Sequence, residues 1–230
     1  MQQKWQQVDE YLKRQLLNED PNLAQTLLAN AAQGLPPHDV SPLQGQFLLL
    51  MVQISAAQRV LEIGTLGGFS TQLMAQALPP DGCLISLEKE ERNAAVAREN
   101  IARAGLSGKV TIKVGEAAEL LPELQEQAPF DLVFIDADKQ NALLYLQWSI
   151  RLGRTGSVII MDNVIRGGAI IDTERDVHAD GICQTLEVVK QFPELTATAL
   201  QTVGEKGWDG FALLRVDKSS PKKQNSMDLP

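Results

Sequence analysis

The sequence predicts an α/β fold: a doubly wound, mostly parallel sheet of seven strands, preceded by helices and closed by an antiparallel hairpin. Three observations carry this. From Arg59 onward, short apolar runs alternate with longer helical segments. A glycine-rich turn, GTLGG at 64–68, follows the first of those runs. Two later runs, VFIDAD and VIIMDN, both stop abruptly at oxygen-rich side chains. Alternation of this kind implies βαβ crossovers and a sheet covered on both faces. In such sheets ligands collect at the carboxyl ends of the strands.

The elements follow in order. Residues 2–17 place Trp5, Val8, Leu12 and Leu16 on one helical face. A turn at Glu19-Asp20-Pro21 leads to a second helix over 22–33, and GLPP at 34–37 breaks it. Ser41-Pro42 gives an N-cap and a first-turn proline, Gln44 completes a capping box, and a helix over 42–55 follows. Strands are expected at 59–63, 83–88, 109–114, 131–136 and 157–162, with helices at 69–78, 90–105, 116–127 and 139–152 between them. A polar stretch at 163–178 precedes a helix at 180–191. LTATALQTV and GFALLRV then form the hairpin. No internal repeat or interdomain linker is visible. Residues 1–216 are expected to form one domain, with 1–57 a helical addition and 58–216 the core. The tail 217–230, DKSSPKKQNSMDLP, is expected to be disordered.

Composition narrows the function. Apolar residues make up 44% and charged residues 22%, as in soluble globular proteins. No apolar run approaches the roughly 18 residues of a membrane span. The start, MQQKWQQVDE, lacks a signal peptide's apolar core. Cys83 and Cys183 are expected to be reduced core residues, and the location cytoplasmic. A formal charge of −8 argues against broad nucleic-acid binding, though not against a small patch that reads a structured RNA.

The glycine turn and the acid after the second strand, Glu88 in LISLE, are the first candidate site. Glycines let backbone approach a ligand closely, and a carboxylate there accepts hydrogen bonds from ribose hydroxyls. A nicotinamide dinucleotide would use the same architecture, but its fingerprint is Gly-x-Gly-x-x-Gly. Here the pattern is Glu62-x-Gly64-x-x-x-Gly68. A carboxylate beside a pyrophosphate is unfavourable; it suits a ligand carrying an amino group and a sulfonium. An NAD-dependent oxidoreductase and a non-catalytic adenosyl-ligand binding protein remain the alternatives from other classes.

VLEIGTLGGFST, SLE, FDLVFIDADK and MDN, in this order and spacing, resemble the cation-dependent O-methyltransferases, the family of catechol and caffeoyl-CoA O-methyltransferases. The resemblance covers about residues 40–216. It implies a Rossmann-like methyltransferase fold and S-adenosyl-L-methionine as cofactor. It implies a cofactor pocket of Val40, Glu62, Gly64, Thr65, Gly68, Ser70, Glu88 and Ala117. Asp138 is expected either to touch the cofactor or to cap a helix. Asp136, Asp162 and Asn163 would bind one divalent cation. Two carboxylates and an amide oxygen are hard ligands that suit Mg²⁺ first, or Ca²⁺ or Mn²⁺. Lys139 matches the general base, a role open to a lysine where burial and a nearby cation favour the neutral amine. The implied acceptor is a catechol-like small molecule that chelates the metal. A hydroxylated base in transfer RNA is the second acceptor class, and a homodimer the expected assembly. The chain departs from many relatives at Leu66-Gly67, which should alter loop packing only.

His38 and His178 have no serine or cysteine motif beside them, which excludes a nucleophilic triad. The loop 165–181, with Gly167-Gly168 as hinge, is a candidate lid that would bring Arg166 to an acidic or phosphorylated group. Trp5 and Trp148 are expected in core or interface; Trp208 has no readable partner.

Overall fold

The structure, a computed structural model, describes residues 1–218. Three helices lead: α1 (Gln2–Leu16), α2 (Pro21–Ala32) and α3 (Pro42–Ile54). Asp20 caps α2 by accepting from the Asn22 N–H at 2.8 Å, and Pro21 stands where a missing N–H is harmless. Ser41 caps α3 by accepting from the Gln44 N–H at 3.2 Å. The capping box is only half made, because the Gln44 side chain turns to Asp162 instead.

The core alternates β1 (Arg59–Ile63), α4 (Phe69–Ala77), β2 (Cys83–Glu88), α5 (Glu91–Arg103), β3 (Val110–Val114), α6 (Ala117–Glu123), β4 (Phe130–Ile135), α7 (Ala142–Leu152) and β5 (Gly153–Asp162). Then follow α8 (Val177–Val189) and the hairpin β6 (Leu195–Gly204) and β7 (Gly207–Val216). The sheet order is β3-β2-β1-β4-β5-β7-β6. β1 to β5 pair in parallel, and β7 inserts antiparallel between β5 and β6. This is the expected seven-stranded sheet. The strand order reverses direction at β1 and β4, the switch point where ligands gather.

Strand periodicity divides the core into two layers. Leu61, Ile63, Val133, Ile135, Ile159 and Met161 face one way, against α7 and α8. Val60, Leu132, Phe134 and Ile160 face the other way, against α3 and α4. Every residue of β4 is buried, hence its nearly unbroken apolar run.

Several boundaries differ from expectation. The helix expected at 116–127 becomes a 3-10 turn after Glu123, because Pro122 removes a donor. The one expected at 139–152 begins as a 3-10 turn, Lys139–Asn141. Asp176 caps α8 by accepting from the Ala179 N–H at 2.7 Å, so this helix starts at Val177 and not at 180. Cys83 is exposed at the edge of β2, whereas Cys183 is buried as expected; both are free thiols. No α1 residue is buried: the helix packs chiefly on β6 and α3, and Leu16 stays 68% exposed. Of the expected disordered tail, 219–230 lies outside the described residues. Asp217 is fixed, its N–H donating to the Glu194 carbonyl at 2.7 Å and its carboxylate accepting from Thr196 at 2.5 Å. No helix among the described residues is long and apolar enough to cross a membrane.

Candidate active site

A cavity of about 980 Å³ opens at the carboxyl ends of β1 to β5. One half is built by the turn after β1. Gly64 has φ +99°, and a Cβ there would overlap the carbonyl of Asp136, just past β4. Glycine is therefore required so that the β1 turn can lie against the β4 turn. Leu66 is left-handed at φ +50°. A Cβ at Gly67 would overlap the buried Asn30 side chain, which is the packing adjustment the LG pair suggested.

Glu88 organises this half. One carboxylate oxygen accepts from the N–H groups of Leu66 at 2.8 Å and Thr65 at 3.2 Å. The other accepts from the Glu90 N–H at 3.0 Å and the Asn93 amide at 3.2 Å. These bonds occupy about four lone-pair sites, so ribose hydroxyls would have to share the oxygens with the longer of them. Val40, Gly64, Thr65, Ser70, Glu88, Ala117 and Asp138 all line the cavity.

Glu62 and Gly68 do not line it. Gly68 has φ +81° and caps α4 from behind the loop. Glu62 is fully buried under α4. Its oxygens accept from Ser70 at 2.6 Å, Thr71 at 2.5 Å and Ser86 at 2.6 Å. Burial pushes its carboxyl up to about 7, against those three hydroxyls, and the Asp136 charge adds to the rise. Glu62 holds Ser70 in place.

The other half is acidic. Asp136 follows β4, Asp162 ends β5, and Asn163 takes a left-handed φ of +57° just beyond it. All three line the cavity. The Lys139 amine donates to Asp136 at 3.1 Å, and its side chain is only 8% exposed. Burial first, then the Asp136 charge, pushes the Asp162 carboxyl up to about 7, while Lys139 and the Gln44 amide pull it down. Two repelling carboxylates share one nearby ammonium, an arrangement that a divalent cation would stabilise. Among the described residues no three His, Cys, Asp or Glu side chains group so as to hold a metal by themselves. The Asp136, Asp162 and Asn163 set fits a cation only as two carboxylates and an amide, with other positions left to water or substrate.

Asp138 makes no helix-capping bond. It accepts from the Tyr145 hydroxyl at 2.5 Å and from Asn141 at 2.6 Å. Burial and this carboxylate raise the Tyr145 phenol well above its ordinary range. Tyr145 was missed in the sequence, although helical spacing from Asp138 places it on the cavity side. Also missed were Phe47 and Phe211, whose rings pack at 4.7 Å between centroids, and Asp209. The Asp209 carboxylate accepts from three backbone N–H groups, those of Ile165 at 3.0 Å, Arg166 at 2.9 Å and Gly210 at 2.9 Å. Both histidines and Arg166 line the cavity as well. Trp208 finds its partners in Gln201, at 3.0 Å, and in the face of Gly168.

The roof comes from both ends of the chain. Asp9 of α1 accepts the Glu205 N–H at 2.7 Å, and Lys13 pairs with the Glu205 carboxylate at 3.0 Å. Lys206 donates to the Pro37 carbonyl at 3.0 Å. The β6–β7 turn is thus seated on α1 and on the segment before α3.

A mostly parallel sheet with its glycine turn after β1, an acid ending β2 and an antiparallel β7 inserted beside β5 defines a Rossmann-like methyltransferase fold. The O-methyltransferase family model matches residues 15–214, and the chain belongs to that family. It is 51% identical over 209 residues to a catechol O-methyltransferase of Mycobacterium tuberculosis, covering 91% of this chain and 94% of that one. An O-methyltransferase from Bacillus cereus solved with S-adenosylhomocysteine superimposes with a TM-score of 0.92 at 46% identity, over 94% of this chain and all of that one. One from Streptomyces achromogenes involved in tomaymycin synthesis, solved with S-adenosylmethionine, gives 0.91 at 41% identity, over 94% and 98%.

Proposed function

We propose that this O-methyltransferase transfers the methyl group of S-adenosylmethionine to a hydroxyl of a catechol-like small molecule, assisted by a divalent cation. One observation carries the reading. Asp136, Lys139, Asp162 and Asn163, from two adjacent strand ends, line the same cavity as the glycine turn and Glu88. The catechol O-methyltransferases among its relatives and the adenosyl ligands of its structural neighbours support it.

The cofactor would lie along Val40, Gly64, Thr65, Ser70, Glu88, Ala117 and Asp138, with Glu62 and Gly68 supporting the loop from behind. Asp136, Asp162 and Asn163 would hold the cation, Mg²⁺ foremost, which when bound makes a catechol hydroxyl more acidic. Lys139, as the neutral amine that burial and a bound cation would favour, accepts the hydroxyl proton. The O–CH₃ bond forms as the S–CH₃ bond breaks, and S-adenosylhomocysteine leaves. Asp136 orients the lysine through their 3.1 Å contact. The chain contributes mainly by aligning oxygen, carbon and sulfur.

The same reading takes 1–216 as one working unit, cytoplasmic and homodimeric. Exposed Val8 and Tyr11 on α1 and Leu200 and Val203 on the free edge of β6 favour self-association.

The test is methyl transfer from labelled S-adenosylmethionine to a panel of catechols, each with Mg²⁺ and with EDTA. Turnover abolished by EDTA is expected. Turnover indifferent to EDTA would remove the metal from the mechanism, and thermal stabilisation by NADH but not by S-adenosylhomocysteine would sink the reading altogether.

A further inference from the structure

Arg166 is held in an uncommon way. Its φ is +54°, a left-handed conformation costly for a side chain of this size. The Asp209 carboxylate enforces it by accepting the N–H groups on both sides of the bend, Ile165 and Arg166. The bend sets the guanidinium on the cavity wall, three residues past Asn163. Its side chain is 26% exposed, and its Nε is buried with no partner. The nearest carboxylate, Asp176, stands 3.9 Å away and is itself exposed and engaged in capping α8. Among the described residues the guanidinium donates no hydrogen bond, although it carries five N–H groups in a planar fork. The other cations of the wall are occupied: Lys89 by Glu116 at 2.8 Å, Lys139 by Asp136, and Lys206 by the Pro37 carbonyl.

We infer that Arg166 is the acceptor-recognition residue and that the acceptor carries an anionic group, a carboxylate on the catechol ring or its side chain. A guanidinium fork that donates no hydrogen bond among the described residues, and meets only an exposed carboxylate at 3.9 Å, matches a ligand carboxylate with two parallel hydrogen bonds. The strain at φ +54° serves to preorganise that fork, and the three amide bonds to Asp209 offset it. Arg166 belongs to the segment after β5, on the Asp162 side of the cavity. The ends of β1 to β3, where the adenosyl group would lie, are on the other side. The inference rests on the proposed function, because it specifies the substrate of the same site.

The test compares kcat/KM for 3,4-dihydroxybenzoate and for its methyl ester, with Mg²⁺ present. The wild-type protein should favour the acid by about tenfold or more, the worth of a charge-assisted hydrogen bond. In Arg166→Asn, whose new side chain tolerates the left-handed backbone, the acid-to-ester ratio should fall by about tenfold. Arg166→Lys should retain part of the preference. Comparing ratios between proteins cancels the different ring acidities of the two acceptors. An unchanged ratio in Arg166→Asn overturns the inference, as does a loss of S-adenosylhomocysteine affinity in its place. Should that variant not fold, Arg166→Gly, equally compatible with the left-handed backbone, is compared in the same way, and an unchanged acid-to-ester ratio overturns the inference and leaves catechol methylation standing. Turnover of neither compound overturns both.

Discussion

Lys139 and Asp136 sit 3.1 Å apart across the bend that follows β4, the lysine nearly buried and the aspartate facing the cavity. The bend, and not a helix, sets this spacing: Lys139 opens the 3-10 segment immediately after the β4 turn. Substituting Lys139→Met should lower kcat by about 10² to 10⁴, the usual contribution of a positioned proton acceptor. The KM for S-adenosylmethionine should change little. Steady-state kinetics on a simple catechol checks both. A drop in kcat below tenfold would assign the base to another group.

Asp162 is the buried member of the acidic pair. Asp162→Ala should abolish turnover on a chelating acceptor while leaving S-adenosylhomocysteine affinity within about tenfold, or 1.4 kcal/mol. Calorimetry and the labelled methyl assay read the two effects separately. Unchanged turnover would remove Asp162 from the cation site.

Glu62 gives a pH dependence of stability. Its carboxyl titrates near 7 in the folded chain against an ordinary value of 4.5. The folded state therefore holds a proton that the unfolded state has released. Stability from this group is full below about 4.5, declines as pH rises to about 7, and is level above that. The loss is on the order of 3 kcal/mol. Urea unfolding of the ligand-free protein at pH 5 and pH 8 measures it. Glu62→Gln should flatten that part of the profile, and an unaltered slope would place its cause elsewhere.

Gly64 joins the two halves of the site. Gly64→Ala places a Cβ against the Asp136 carbonyl and forces an alanine to φ +99°. The expected cost is above about 2 kcal/mol, with weaker S-adenosylhomocysteine binding. A melting temperature and a binding isotherm within error of wild type would contradict the close approach of the two turns.

Much of this was legible in the sequence. β1 to β5 stand out because parallel strands are apolar throughout, and the acids at their ends because nothing in a buried strand calls for them. The hairpin was legible from its GEKG turn. The 3-10 segments were not, since Pro122 and Lys139 perturb only one turn of an otherwise helical pattern. The three hydroxyls around Glu62 were not legible, because α4 and β2 bring Ser70, Thr71 and Ser86 to it only on folding. Asp209 and Phe211 were missed for a related reason. They enter the site through a strand pairing, Asp162 opposite Phe211, that joins residues far apart in the chain.

The insertion of β7 beside β5 also fixes the order in which the site is made. Chains emerge from the ribosome N-terminus first. The glycine turn, Glu88 and both acidic strand ends are synthesised well before Asp209, which sets the bend at Arg166, and before the β6–β7 turn that rests on Asp9. Until β7 pairs with β5, the bend at Arg166 lacks the Asp209 carboxylate that accepts its amides, so this bend is among the last features of the cavity wall to be set.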